Sequence, residues 1–422
     1  MKQQYAIAMG GGAAGFFGAI ACAQLNPNIK VSILEATRQV LTKVRISGGG
    51  RCNVTHACFE PAQLIQNYPR GSRALRGAFS RFQPTDTVAW FESRGVKLKT
   101  EADGRMFPIT NDSATIADCL IDSARAAGVT VRANAAVKTA TKTGDCFHLS
   151  LKSGEELSCD ALLLATGSNP SGYAIARSLG HKVQAPVPSL FTFTIRDREL
   201  TDLAGASAAD VKIALKTEDG QKLEQTGPLL ITHWGVSGPA VLKLSAWGAR
   251  SLHECRYRAT LLVNWLPFWT QEDVRRALVA IAQAHPKKAI GTGWLGGDRR
   301  ASANLPRRIW RYLVTHKAQI DGGKRWTEVS KKDINRLVEV LARSQWDISG
   351  KGVFKDEFVT CGGVDLKEVN MKTLESRLCP GLFFAGEVLD IDGVTGGFNF
   401  QNAWTTSWLA GNAIAASLLD KQ

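Results

Sequence analysis

Three glycines and one carboxylate are the first residues whose types and spacing point to chemistry. Gly10, Gly12 and Gly15 lie in Ala8-Met9-Gly10-Gly11-Gly12-Ala13-Ala14-Gly15, between two apolar segments. Glu35 follows about twenty residues past the last of them. The pattern fits a turn that cradles the pyrophosphate of a dinucleotide. Gly10 permits the tight turn, Gly12 lets the backbone approach the pyrophosphate, and Gly15 lets a helix pack closely on a strand. Ala13 and Ala14 open that helix, whose free N–H groups and partial positive charge suit an anion. Glu35 is placed to accept hydrogen bonds from a ribose diol.

Four further clusters carry reactive or ligand-facing residue types. Ser47-Gly48-Gly49-Gly50-Arg51-Cys52-Asn53 allows a planar ring to lie directly on backbone, and then supplies a cation, a thiol and an amide. Ala165-Thr166-Gly167 ends an apolar run and suits the second passage of the chain beside the nucleotide. Gly381 to Glu387 reads as a last strand. It leads through Asp390, Asp392, Gly393, Gly396 and Gly397 to Phe398, Asn399, Phe400, Gln401 and a long helix. The N-terminus of that helix would stabilise negative charge on a reduced flavin. The plainer alternative is a strand–loop–helix whose two acids are merely exposed. In Thr232-His233-Trp234-Gly235-Val236-Ser237-Gly238-Pro239, Ser237 is placed as an N-cap and Pro239 in a first helical turn. His233 is a candidate proton donor, or else a histidine packed beside Trp234. Cys52 is the other candidate acid, since a thiol of ordinary pKa, about 8.5, is mostly protonated at neutral pH. Its alternative role is a small residue packed against the ring.

The elements that must position these residues are legible as an α/β pattern. Tyr5 to Met9 reads as a buried strand, Ala13 to Leu25 as an apolar helix and Lys30 to Glu35 as a second strand. Lys2 and the apolar run to Leu25 also resemble a signal peptide or a membrane span. Neither explains glycines at the fingerprint positions or a strand that closes in Glu35. Arg38 to Thr55 reads as a polar loop, Thr85 to Arg94 as a helix stopped by Gly95, and Asp112 or Ser113 as the cap of a helix to Ala127. Val129 to Arg132, Cys146 to Lys152 and Ala161 to Ala165 read as strands. Past Pro186-Val187-Pro188 the texture changes to short β-runs: Phe191 to Ile195, Val211 to Lys216, Lys222 to Gln225 and Thr260 to Val263, with Asp219-Gly220 as a hairpin turn. Gln271 to about Gln345 is helical and basic. The expected fold class is thus α/β, with a Rossmann-like dinucleotide-binding domain of residues 1–188 and 357–422. It is interrupted by a β insert of residues 189–268 and 346–356 that carries a helical insert of residues 269–345. Gly291-Thr292-Gly293-Trp294-Leu295-Gly296 repeats the glycine spacing, but no strand precedes it, so it reads as a loop.

Composition narrows the setting. The 422 residues exceed one ordinary core, and 44% hydrophobic content fits a soluble globular protein. Nine cysteines without a Cys-x-x-Cys pair fit a reducing cytoplasm rather than a disulfide framework or zinc site, and the seven histidines lack metal-ligand spacing. No metal and no membrane partner is expected. Lysine and arginine number 52 against 38 acids, a net charge of +14. Basic pairs recur at Arg275-Arg276, Lys287-Lys288, Arg299-Arg300, Arg307-Arg308, Lys324-Arg325 and Lys331-Lys332, with Trp294, Trp310, Tyr312 and Trp326 among them. A basic surface interleaved with aromatics suits RNA. A solvated helical surface with its tryptophans in the core is the competing reading.

Taken with Gly104-Arg105-Met106-Phe107-Pro108, these clusters resemble the BaiN/RdsA-type family, some of whose members are labelled YhiN-like or aminoacetone-oxidase-like. The resemblance covers nearly the whole chain. It implies that the Rossmann-like domain is an FAD/NAD(P)-binding domain and that the insert is β-barrel-like with a helical part, with FAD as the resident dinucleotide and NADH or NADPH as a transient electron donor. It also implies an oxidoreductase that reduces carbon–carbon double bonds in steroid-like enones or in ribosomal RNA uridine, or that oxidises amines. A non-catalytic FAD-binding redox or assembly protein is the remaining alternative. The expected cofactor contacts are Gly10, Gly12, Ala13, Ala14, Gly15, Glu35, Lys43, Ser47, Gly49, Gly50, Arg51, Cys52, Asn53, Val137, Ala165, Thr166, Gly167, Gly386, Glu387, Gly397, Phe398, Asn399 and Gln401. The chain departs from the family at Ser168-Asn169-Pro170-Ser171-Gly172, where many relatives carry a second glycine and a longer stretch.

Overall fold

The computed structural model describes residues 3–216, 222–292, 305–352 and 359–419. The Asp219-Gly220 turn, Trp294, the Arg299-Arg300 pair and most of the second glycine-rich segment lie outside them. The chain forms two compact units, Met1–Val187 with Val359–Gln422, and Pro188–Phe358.

The first unit is a Rossmann-like α/β layer. Its sheet core is β1 (Tyr5–Met9), β2 (Lys30–Leu34), β3 (Thr130–Arg132), β4 (Ala161–Leu164) and β5 (Leu382–Phe384). These run parallel in the order β5-β4-β1-β2-β3, and two short antiparallel strands, Glu375–Ser376 and Val369–Asn370, extend the β5 edge. Helix α1 (Ala13–Leu25) connects β1 to β2 and is buried along nearly its whole length. The reason is a second helix, α2 (Phe398–Leu419), laid against it so closely that a Cβ on Gly411 would come within 2.3 Å of the Gly18 carbonyl oxygen. The segment from residue 5 to residue 34 is therefore a strand, a helix and a strand of one domain core, which removes the signal-peptide and membrane-span alternatives. Among the described residues, no helix is long and apolar enough to cross a membrane. A separate three-stranded sheet (Val137–Thr143, Cys146–Leu151, Glu156–Cys159) follows β3, and of its outer strands the first is too polar and the last too short to stand out in sequence. The segment expected to be a polar loop from Arg38 instead contains a helical stretch from Thr42, broken at Ser47 to Gly49.

Buried polar residues tie the β5 edge together. His181 is 3% exposed, with Nδ1 3.1 Å from Glu368 Oε2 and Nε2 2.8 Å from Ser376 Oγ. Burial pulls its pKa below the usual histidine value, against the opposing pull of Glu368. The folded state therefore favours neutral imidazole. Its contribution is complete above the unfolded pKa of about 6.5 and is lost as pH falls from there through the lower folded value. Melting temperature should thus drop on acidification below that point, and His181→Gln should flatten this part of the profile. An unchanged profile in the variant would remove His181 as the cause.

In the second unit, Phe193–Ile195, Gly235–Ser237, Lys222–Thr232, Ser207–Lys216, Ala259–Asn264 and Ser344–Lys351 close into a six-stranded barrel. Alternation puts Phe193, Ile213, Leu215, Leu261 and Val263 into its core. Helices Gln271–Ala284 and Lys331–Arg343, each with a capping box at its start, pack beside it with the shorter helix Arg307–Tyr312. Trp310, Tyr312 and Trp326 are at most 3% exposed and belong to the same core. These three rings therefore hold the unit together and offer no stacking surface for nucleic acid bases.

Candidate cofactor and active site

The carboxyl ends of the parallel strands meet where the glycine turn leaves β1. Three backbone bonds align them: Gly10 N–H to Leu34 O (2.8 Å), Ala165 N–H to Met9 O (2.9 Å) and Ala385 N–H to Leu164 O (3.0 Å). This is the edge at which open α/β sheets bind ligands. The three glycines differ in what holds them. Gly10 has φ +108°, and a Cβ there would lie 2.4 Å from Ala165 O. A Cβ on Gly15 would lie 1.8 Å from Gly10 O. A Cβ on Gly12 would meet no atom within 4 Å, so it would project into the open cradle itself. Ala13, Ala14 and Gly15 follow as the first helical residues, whose N–H groups have no carbonyl one turn back. Open space beside unpaired amides is the arrangement that suits an anion.

Glu35 stands beside the turn. Its Oε2 accepts from Gly11 N–H (2.8 Å), and its Oε1 from the N–H (2.9 Å) and hydroxyl (2.8 Å) of Thr37. These bonds fix the carboxylate and leave lone-pair capacity for a ribose hydroxyl. Ala135 N–H donates to Glu35 O (2.8 Å), which brings Val137, at the start of its strand, to the same neighbourhood.

On the other side of the turn, Gly386 packs on Ala14 and donates its N–H to Thr406 Oγ1 (2.9 Å). Glu387 accepts from Thr360 N–H (2.9 Å) and from Lys43 Nζ (2.7 Å), and Lys43 also reaches Ser168 Oγ (3.4 Å). Gly167, in the left-handed region at φ +59°, approaches the same carboxylate. Thr166 Oγ1 is buried and has no hydrogen-bond partner among the described residues. The hydroxyl packs against Gly172, where a Cβ would lie 1.8 Å from it.

The loop from Ser47 to Asn53 is a left-handed turn. Gly48, Gly49 and Gly50 have φ +59°, +70° and +84°, and no atom lies within 4 Å of a Cβ on either of the last two. Arg51 anchors the turn from behind: its guanidinium lies 4.0 Å over the Phe107 ring, pairs with Glu101 (2.6 Å) and donates to Gly48 O (3.3 Å). Asn53 joins this loop to the entry of α2. Its amide nitrogen donates to Thr55 O (3.0 Å) and its oxygen accepts from Gly397 N–H (2.9 Å). The Phe398 ring stacks on His56 at 4.7 Å, and its carbonyl accepts from Tyr68 OH (2.6 Å). Asn399 exchanges two hydrogen bonds with the Gly393 backbone, and the fully buried Gln401 is bonded by Thr55, Thr87 and Thr405. These side chains set the shape of the loop before α2.

The two candidate acids fall in different places. Cys52 has φ +61° and no accessible surface, and burial pushes its thiol up to about 12, against a hydrogen bond from Ser47. Enclosed on every side, it packs under the glycine loop, and donating a proton would require that loop to open. His233 is exposed, on the tight turn between Lys222–Thr232 and Gly235–Ser237 of the barrel. Asp392, far from being an exposed acid, has no accessible surface and pairs with Arg70, itself 12% exposed. Sequence reasoning overlooked Arg70, His56 and Glu101, because each acts through a partner remote in the chain.

The chain is similar to several known proteins. The family described as HI0933-like protein Rossmann domain matches residues 4–413. The ribosomal RNA dihydrouridine synthase of Escherichia coli is 30% identical, over 99% of both chains. The 3-dehydro-bile acid delta(4,6)-reductase of Clostridium scindens is 29% identical, over 96% of this chain and 98% of its own. Among solved structures, a 3-ketosteroid delta1-dehydrogenase from Sterolibacterium denitrificans has the same fold, with a TM-score of 0.51 at 13% identity, over 98% of this chain and 99% of its own.

Proposed function

Because the chain belongs to the HI0933-like Rossmann-domain family, we propose that this FAD-dependent oxidoreductase reduces an electron-poor carbon–carbon double bond, that of uridine in ribosomal RNA. Bound FAD, reduced by NADH or NADPH, supplies the hydride, and a proton completes dihydrouridine. The protein's own part is binding and orientation. The cradle at Gly12 and the first amides of α1 hold the diphosphate, and Glu35 takes the ribose. The left-handed glycine run gives a flat backbone surface on which a planar ring can lie. The N-terminal end of α2 would offer partial positive charge to the ring in its reduced state.

The observation that carries the RNA reading is the end-to-end match to a relative named as a ribosomal RNA dihydrouridine synthase. The net charge of +14 is in keeping with a polyanionic substrate. A second reading, reduction of a small steroid-like enone, is favoured by the bile acid reductase at nearly equal identity. Purified protein loaded with FAD, given NADH or NADPH and unmodified ribosomal RNA transcripts, should produce dihydrouridine, read by mass spectrometry as a nucleoside heavier by a pair of hydrogens. Consumption of a steroid enone with no dihydrouridine in any transcript would replace the RNA reading with the second.

A further inference from the structure

The barrel of the second unit carries a groove of about 520 Å³ lined by Arg196, Lys216, Arg258, Thr260, Asp347 and Ser349. Strand register explains how these polar groups come together. Lys216 pairs with Thr260, and Thr260 with Asp347, so the three stand side by side across adjacent strands. Their chain neighbours Leu215, Leu261, Trp346 and Ile348 are buried, so the row faces outward. Arg258 enters the row just ahead of one strand, and Arg196 just after another.

The charge of this groove is unbalanced. Arg196, Lys216 and Arg258 are exposed and make no ion pair among the described residues, and Asp347 is the lone carboxylate of the lining. In the basic helical part of the same unit Arg275 and Arg276 pair with Glu272 and Asp273, Lys324 and Arg336 both pair with Asp333, and the three described aromatics are in the core. Lys287, Lys288, Arg307, Lys331 and Lys332 are exposed there without an ion pair among the described residues, but they do not line the groove. A concave strip with three cations and the Thr260 hydroxyl matches the recurring charge and acceptor oxygens of phosphodiesters, while the Ser349 hydroxyl is engaged by Thr194 O (3.3 Å).

We infer that this groove seats backbone phosphates of the nucleic acid substrate, an inference that rests on the RNA reading above. Contacts to phosphate position a polynucleotide without reading its sequence, so the groove serves docking rather than choice of the uridine. The test is binding of the FAD-loaded protein to a labelled ribosomal RNA hairpin across a salt series. The Arg196→Gln/Arg258→Gln double variant should bind about tenfold or more weakly, with the log–log salt slope reduced by about two. Asp347→Asn should bind more tightly, a gain that a purely structural role does not produce. FAD content and melting temperature should match wild type in both. Unchanged affinity and slope in the double variant, with wild type binding the hairpin, would overturn the groove alone. Displacement of the hairpin by NADPH would reassign the groove to the electron donor. No binding by wild type at any salt would overturn the groove and the RNA reading together.

Discussion

Gly12→Val should leave the protein folded and strip it of FAD, whereas Gly15→Ala should damage the fold itself. At Gly12 a Cβ meets nothing within 4 Å, and its φ of −92° is open to any L-residue. Added bulk there extends only into the cradle. Losing two backbone hydrogen bonds to a charged diphosphate costs roughly 3 kcal/mol, which is about a hundredfold in affinity. At Gly15 the added methyl would lie 1.8 Å from the Gly10 carbonyl oxygen, so strand and helix must separate. Overpacking of this kind costs about 1–3 kcal/mol or more. Fluorescence titration with FAD and melting of the cofactor-free proteins separate the two effects. Equal loss of stability in both variants would contradict the division of labour between these glycines.

Asp392→Asn is expected to be among the most destabilising single changes in the first unit. The carboxylate has no accessible surface, and it holds Arg70 Nε at 2.5 Å together with a second bond from the guanidinium. Neutralising it leaves a largely buried guanidinium without its counter-charge, a defect of about 3–5 kcal/mol. The pair also bridges the segment at Arg70 to the loop that leads into α2, so FAD affinity should fall with stability. Arg70→Met/Asp392→Leu removes both charges and should recover much of the loss, since the cost lies in the unpaired partner. Urea denaturation of Asp392→Asn, of Arg70→Met and Asp392→Leu singly, and of the double variant checks this. A double variant as unstable as the sum of the single changes would show that the charges are not coupled.

Much of the nucleotide-binding half was legible in sequence because its signals are local. The glycine turn, the apolar strand before it and the acid closing β2 lie within the first 35 residues, and each announces its own geometry. Four of the six barrel strands were also visible, at least in part, as short β-runs, but Gly235–Ser237 and Ser344–Lys351 were not, and the end of Lys222–Thr232 that holds the buried Leu229 and Ile231 lies behind Gly227 and Pro228 and was missed. What local patterns conceal is pairing over distance. Arg70 and Asp392 carry no mark of each other, nor does Gln401 of the threonines that bond it. Trp310 and Trp326 sit among basic residues, and only packing shows that they point inward. Arg196, Lys216 and Arg258 become one groove only through strand register.

The account rests on backbone amides at the start of α1 holding an FAD diphosphate. The most direct measurement is the cofactor content of the purified wild-type protein, taken from its flavin spectrum and from the nucleotide released on denaturation. One FAD per chain, with FMN absent and the signal lost in Gly12→Val, is the predicted result. A colourless protein that takes up no FAD from excess, while remaining folded, would contradict it.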